Sequence, residues 1–148
     1  MTIPARVFAS TLLLVTASLL STPGLSAQQH EVISLPGATP SPNLSNAIKS
    51  GDMMWLAGQL GDNSGDIEKE TAAAMEKIKT TLQLGGFEMK DVVAVQVYLI
   101  DIKEFPKMNG VYRTFFPDTK PTRTTVQVAG LASPTARVEI TATAHKTR

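Results

Sequence analysis

One amphipathic helix between strand-like segments is the feature that most narrows the folds open to this chain. Its pattern covers "IEKETAAAMEKIKTTLQLGG", where Asp66 can cap the first turn and Gly85 and Gly86 can end the last. Acidic side chains lead and lysines follow, which suits the helix dipole. The apolar side chains recur at helical spacing and form one stripe: Ile67, Ala74, Met75, Ile78 and Leu82. Such a stripe has to be buried against another layer of structure.

The segments around this helix have the length and composition of β-strands. "SNAIKSGD" predicts a short strand that ends in a Gly-Asp turn, and "MMWLAGQL", residues 53–60, predicts a buried strand. "DVVAVQVYLI", residues 91–100, is rich in β-branched side chains and predicts a central strand. Two further strands, "TRTTVQVAGL" and "ARVEITATAHK", are predicted on either side of a turn that contains Gly130 and Pro134.

A second helix completes the predicted order of elements. "KEFPKMNGVYRTFF", residues 103–116, predicts a less regular helix with Pro106 in its first turn. The order β-β-α-β-α-β-β, with hairpins at both ends, indicates a single small α+β domain whose helices pack on one face of a mixed sheet. The other face then needs a covering partner, and self-association is the simplest one.

The first 27 residues have the pattern of a secretory signal peptide. Arg6 precedes the apolar run "VFASTLLLVTASLL", and "STPGLSA" offers a cleavage site after Ala27. The run, about 14 residues, is short for a membrane span, although an uncleaved N-terminal anchor is the alternative. We therefore expect export to the periplasm or the exterior, a leader or loop at 28–44, and a folded domain at 45–148.

Charge and residue usage exclude several classes of function. The chain has 14 basic and 13 acidic residues, and loss of the signal peptide with Arg6 leaves these charges balanced. The basic residues are scattered, so neither nucleic acid nor a membrane surface is an expected partner of the mature chain. There is no cysteine, which excludes thiol nucleophiles and disulfides. The two histidines, His30 and His145, lie near the ends of the mature chain, so neither a histidine metal site nor a Ser-His-Asp triad is expected.

Two charged residues stand out on the last two predicted strands. Side chains alternate between faces, so Arg123 shares a face with Thr125, and Glu139 shares one with Thr141. These polar faces are either solvated, or Arg123 holds an anion beside a pocket. In a simple hairpin about residue 133, Glu139 would lie about 13 Å along the strand from the position opposite Arg123. A shared site would then need another strand pairing or two subunits.

Three segments carry a resemblance to a known family. They are "SNAIKSGDMMWLAGQL" with Gly58 and Gln59, "LGGFEMKDVVAVQVYLIDIKEFPKMNGVYRTFF" with Asn109, and "PTRTTVQVAGL" followed by "VEITATA". From Ser45 to its end, the chain resembles the RidA (YjgF) family of enamine/imine deaminases. The resemblance implies a homotrimer with pockets between subunits, and it implies no metal and no organic cofactor.

The resemblance also implies a reaction and a set of site residues. Reactive 2-imino or enamine acids, such as 2-aminoacrylate or 2-iminobutanoate, would be hydrolysed to 2-oxo acids and ammonia. Arg123 would clasp the substrate carboxylate, and Glu139 would position and activate a water molecule. Gly58 would contribute backbone contacts, and Asn109 would support the pocket. Thr125 would belong to the substrate-binding group, at a position where family members often carry cysteine.

Some positions depart from the family pattern. Leu44 stands where many members carry tyrosine, so a contact from that hydroxyl does not exist here. Thr141 replaces an acid that is common two positions after the glutamate. Export would also separate the protein from the cytoplasmic enzymes that generate iminoacids. The alternative hypothesis is therefore a non-catalytic trimeric protein that binds small carboxylates or acts as a holdase in the periplasm.

Overall fold

The computed structural model describes residues 29–37, 39 and 41–147, which form one sheet and two α-helices. The strands of this part are β1 (Glu31–Ile33), β2 (Ala47–Ser50), β3 (Met53–Leu56), β4 (Gln59–Leu60), β5 (Val92–Leu99), β6 (Thr122–Gln127) and β7 (Val138–His145). The helices are α1 (Ile67–Leu84) and α2 (Phe105–Tyr112), with single 3₁₀ turns at Met89–Asp91, Ile102–Glu104 and Arg113–Phe115. The α+β class is confirmed. The predicted signal peptide, residues 1–27, lies outside the described residues.

The N-terminal segment expected to be a leader or loop contributes a strand instead. Strand β1 pairs antiparallel with β2, and Ile33 is buried in the core. The Lys49 ammonium lies 3.1 Å from the Glu31 carboxylate across this pair. A strand of three residues is too short to show a readable alternation in the sequence.

The sheet is mixed, as predicted, but its C-terminal half is not a hairpin. Its order is β1-β2-β3-β7-β5-β6, and β4 pairs with β7 beyond the end of β3. Strand β6 runs parallel to β5 at the edge of the sheet, and β7 runs antiparallel to β5 on the other side. Strand β5 therefore separates the two strands that we expected to pair about residue 133. The prediction was wrong because α2 provides a crossover from β5 to β6, which a parallel pair requires.

The predicted strand at 53–60 is interrupted. Trp55 pairs with Thr143 and Gln59 pairs with Ile140. The chain therefore advances four residues from Trp55 to Gln59 while β7 advances only three. One extra residue is accommodated at Ala57 and Gly58, as in a β-bulge. The Thr141 hydroxyl donates a hydrogen bond of 2.6 Å to the Leu56 carbonyl at this point and secures the end of β3. A continuous apolar run does not reveal such a break.

Both helices pack on one face of the sheet and enclose the core. Alternate residues of β7 are buried against them, from Val138 to Ala144, together with Val95, Val97 and Leu99 of β5. The predicted stripe of α1 is buried in full: Ile67, Ala74, Met75, Ile78 and Leu82. The opposite face, called here the open face, leaves Trp55 and Val126 exposed at 46% and 40%.

The helix termini follow the sequence closely. The Asp66 carboxylate accepts hydrogen bonds from the backbone N–H groups of Glu68 and Lys69, at 2.9 and 3.3 Å, which confirms the predicted N-cap. Gly86 ends the α1 turn with φ +80°, a conformation that favours glycine. Helix α2 is shorter than the predicted 103–116, although Pro106 does lie in its first turn. Within the described ranges, no helix has the length and hydropathy needed to cross a membrane.

Candidate functional site

The first candidate site is a pocket on the open face, called here the open-face pocket. It has a volume of about 480 Å³ and includes Gly58, Tyr98, Glu139 and Thr141 in its wall. Leu131 and neighbouring residues of the β6–β7 loop close another side. Gly58 and Glu139, two of the predicted site residues, are therefore brought together.

Gly58 and Glu139 are in close contact, and this contact requires glycine. A Cβ atom added at Gly58 would overlap the Glu139 carboxylate oxygen and carbon. Gly58 sits at the bulge between β3 and β4, where its backbone can approach the neighbouring strand. Because Gly58 has no side chain, the Glu139 carboxylate can lie beside the Gly58 backbone.

A buried carboxylate fixes the loops beside the open-face pocket. Glu70 of α1 is fully buried and accepts hydrogen bonds from the N–H groups of Gly65, at 3.0 Å, and Arg137, at 2.7 Å. Arg137 begins the approach to β7, two residues before Glu139. Its guanidinium is paired by two hydrogen bonds with Glu104, at 2.9 and 3.0 Å, which raises the pKa of Arg137 further above its usual value. Strand β7 is therefore anchored just ahead of the pocket glutamate.

The second candidate site is centred on Arg123 at the sheet edge. Its guanidinium lies over the Tyr112 ring, 4.4 Å from the centroid, and 5.4 Å from the centroid of Phe105. Both rings belong to α2, which packs beneath β6. Within the described ranges Arg123 has no salt bridge to an acidic side chain. The cation is held by aromatic faces, which attract it without neutralising its charge.

Arg123 borders a cavity of about 310 Å³, called here the edge cavity. Two further cations and one amide contribute to its wall: Arg113, Lys120 and Asn109. No acidic residue is among the described residues that line it. Asn109 and Arg123 are therefore brought together as predicted, and the wall carries a net positive charge that suits an anion.

Two hydroxyl groups near Arg123 are buried without a hydrogen-bond partner in the described part of the chain. They are Tyr112 Oη and Thr125 Oγ1. Burial raises the pKa of the Tyr112 hydroxyl, and the facing Arg123 charge opposes part of that rise. Thr125 shares the helix-covered face of β6 with Arg123. Both hydroxyl oxygens are enclosed by the protein itself and have almost no surface open to the edge cavity.

The pairing registers place Arg123 and Glu139 on opposite faces of the sheet. Val95 pairs with Arg123 and with the buried Ala142, so all three face the helices. Tyr98 pairs with Glu139, and both face the open side. The two charged residues are also three residues apart along the strands, about 10 Å. They cannot share one pocket within a single chain, so a site that contains both residues needs two subunits.

Several residues of these sites were not singled out in the sequence. Tyr112 lies three residues after Asn109, which places both on one side of α2, and this spacing could have identified it. The contact between Arg123 and Phe105 could not have been found, because it depends on the parallel pairing of β6. Leu44, the departure from the family pattern, is exposed at 61%.

Together, the topology and the two sites define a small α+β protein with one mixed sheet, helices on one face, a pocket with Glu139 on the other face, and a cationic cavity at the β6 edge. Residues 37–146 match the family described as Endoribonuclease L-PSP, and the chain belongs to this family. Solved structures of YjgF-family proteins have the same fold. The resemblance inferred from the sequence is confirmed.

Individual relatives align over most of their own length. The 2-iminobutanoate/2-iminopropanoate deaminase of Dermatophagoides farinae is 36% identical over 117 residues, which cover 74% of this chain and 91% of the relative. The 3-aminoacrylate deaminase RutC of Acinetobacter baylyi is 35% identical over 122 residues, covering 76% and 96%. The structure of E. coli TdcF with bound serine superposes with a TM-score of 0.70 at 27% identity, covering 79% of this chain and 99% of TdcF.

Replacement of Tyr112 by phenylalanine tests the unpartnered hydroxyl. Tyr112→Phe keeps the ring beneath Arg123 and removes a buried polar atom that lacks a partner. We expect the free energy of unfolding of the unliganded protein to rise by about 1 kcal/mol, measured by urea denaturation. The matched control is Tyr98→Phe, because the Tyr98 hydroxyl donates a hydrogen bond of 2.8 Å to Gln96. A Tyr112→Phe protein less stable than the Tyr98→Phe protein would contradict this assignment.

Proposed function

We propose that the protein is a cofactor-free hydrolytic deaminase that converts reactive 2-imino or enamine acids to 2-oxo acids and ammonia. Substrates of the proposed class include 2-aminoacrylate and 2-iminobutanoate. The observation that carries this proposal is Arg123, a half-buried cation held over two aromatic rings without an acidic partner in the described part. The names of the two deaminase relatives support the same class of reaction.

Arg123 supplies the recognition step of this proposal. A planar guanidinium offers two parallel N–H groups that match the two oxygens of a carboxylate. The rings of Tyr112 and Phe105 restrict the guanidinium plane, so little conformational freedom is lost when a ligand binds. A lysine at this position would keep the charge but lose the fork and the stacking.

Glu139 supplies the chemical step. Its carboxylate takes a proton from water as the water oxygen bonds to the imine carbon, and passes that proton to the imine nitrogen to give a carbinolamine. Glu139 then takes the proton of the carbinolamine hydroxyl and delivers it to the amino nitrogen as the carbon–nitrogen bond breaks, so that the 2-oxo acid and ammonia are released. One imine and one water give one 2-oxo acid and one ammonia, so no oxidant or further reactant is needed.

The proposed site is completed between subunits of a homotrimer. Within one chain the Gly58–Glu139 pair and the Arg123 group face opposite sides of the sheet, so a second copy has to bring the open-face pocket to the edge cavity. The exposed Trp55 and Val126 make the open face a suitable interface for such a copy. In a closed ring of three subunits, each subunit contributes Arg123 to the site it shares with one neighbour and Glu139 to the site it shares with the other.

The runner-up function is non-catalytic binding of small carboxylates by the same trimer. Leu44 favours it, because a leucine cannot supply the hydroxyl that many family members carry there. The protein of this second hypothesis would bind a 2-oxo acid through Arg123 without releasing ammonia from the corresponding imine. Export through the predicted signal peptide fits either function, and it stays a prediction.

An ammonia-release assay with an arginine series tests the proposed function. Freshly generated 2-aminoacrylate serves as substrate for the wild type, Arg123→Ala and Arg123→Lys. We expect kcat/KM to fall about 100-fold in Arg123→Ala and nearly as far in Arg123→Lys, because the charge-assisted fork is lost in both.

The control for that series is Lys107→Ala, which removes an exposed cation of α2 that lies outside both cavities. Its rate should equal that of the wild type. Equal rates for wild type and Arg123→Ala would exclude the proposal. Binding of 2-oxobutanoate to the wild type without any ammonia release would instead establish the runner-up function.

Substitution of Gly58 tests the position of the Glu139 carboxylate. In Gly58→Ala the added methyl group occupies the place of that carboxylate, which can swing aside because it ends a flexible side chain. We expect at least a tenfold loss of kcat, since the water would no longer be held correctly, with only a small change in melting temperature. Gly110→Ala is the matched control, because its Cβ meets no atom within 4 Å. Retention of full kcat in Gly58→Ala would separate Glu139 from the reaction.

A further inference from the structure

The edge cavity carries more positive charge than one substrate carboxylate requires. Besides Arg123, its wall includes Arg113 and Lys120, and no acidic residue lines it in the described part. We propose that this cavity also binds a second acidic group, so that the preferred substrates are 2-imino acids with a carboxylate at the end of the side chain. This inference rests on the proposed function, because it takes the first carboxylate to be held by Arg123.

Arg113 and Lys120 belong to different segments that meet at the cavity. Arg113 directly follows α2, is exposed, and forms no ion pair with any described acidic residue. The Lys120 ammonium donates hydrogen bonds to the carbonyls of Pro117, at 3.3 Å, and Asp118, at 3.1 Å, which hold its loop in a turn. A carbonyl does not neutralise an ammonium, so both cations keep their charge for a ligand.

Two neutral polar residues complete the wall of the edge cavity. Tyr112 lines the cavity and is only 6% exposed, with its hydroxyl enclosed by the protein. Asn109 adds an amide that can either donate or accept. The cations Arg113, Lys120 and Arg123 differ from charges scattered over a solvated surface, because all three line one cavity that has no acidic residue in its described wall.

The remaining wall of the edge cavity is apolar and suits a short carbon chain. Phe116 and Pro121 lie in the wall together with the Tyr112 ring, which packs against Phe116 in a tilted arrangement at a centroid distance of 5.0 Å. A volume of about 310 Å³ is at the small end of ligand pockets. Cations combined with an apolar wall match two carboxylates joined by methylene groups better than a compact inorganic anion.

Calorimetry with two acids of equal chain length tests this inference. The probes are 2-oxoglutarate and 2-oxopentanoate, which differ in whether the fifth carbon is a carboxylate or a methyl group. We expect the wild-type protein to bind the dicarboxylate at least fivefold more tightly, and we expect added salt to reduce this preference. The double variant Arg113→Gln with Lys120→Gln should bind both acids with equal affinity. Lys107→Gln removes an exposed cation outside the cavity, serves as the control and should keep the wild-type preference.

The outcomes separate this inference from the proposed function. Equal affinities in the wild type, or a preference that survives in the double variant, would overturn the second acidic site. If 2-oxopentanoate binding still depended on Arg123 in that case, the proposed carboxylate clasp would stand. If neither acid bound, both proposals would be contradicted together.

Discussion

The parallel pairing of β5 with β6 is the constraint on which the rest of the structure depends. It turns Arg123 towards α2, because Arg123 pairs with Val95 on the helix-covered side. The same central strand pairs Tyr98 with Glu139 on the open side. One strand thus separates the two charged residues and gives each a different pocket. Any site that contains both has to be made from two copies of the chain.

The aromatic rings that hold Arg123 distinguish it from an arginine with a purely structural role. The chain offers a direct comparison in Arg137, whose guanidinium is paired bidentately by Glu104 and whose role is to anchor β7. Arg123 instead rests on the faces of Tyr112 and Phe105. Rings orient a guanidinium and compensate part of its desolvation, but they leave its hydrogen-bonding edge available. Arg137 is therefore structural, whereas we propose that Arg123 binds an external anion.

Much of the local structure could be predicted from the sequence because it depends on neighbouring residues. The Asp66 cap, the buried stripe of α1 and the position of Pro106 all follow from spacing and residue type. The resemblance named Gly58, Glu139, Asn109 and Arg123 as residues of one site. The structure places the first two in one pocket and the last two in another.

The predictions that were wrong concern contacts between segments that are distant in the sequence. An alternating strand gives the same pattern whether it pairs as a hairpin or as a crossover, so the position of β6 was not encoded locally. The polar face of β6 lies against the helices, and the apolar Val126 faces the open side. This is the reverse of the usual arrangement, in which the apolar face of a strand packs against the helices. This inversion occurs where the strand carries Arg123, the residue proposed to hold the substrate carboxylate. Departures from simple patterning are expected at such sites.

Subunit complementation tests the central claim, that the Arg123 and Glu139 groups of different copies form one site. Arg123→Ala and Glu139→Gln proteins, each inactive alone, would be mixed in equal amounts, unfolded and refolded together, and confirmed as trimers by light scattering. If the site forms between subunits, roughly a quarter of the sites regain both native residues, and ammonia release returns to about a quarter of the wild-type rate. A mixture as inactive as its two components would contradict the account.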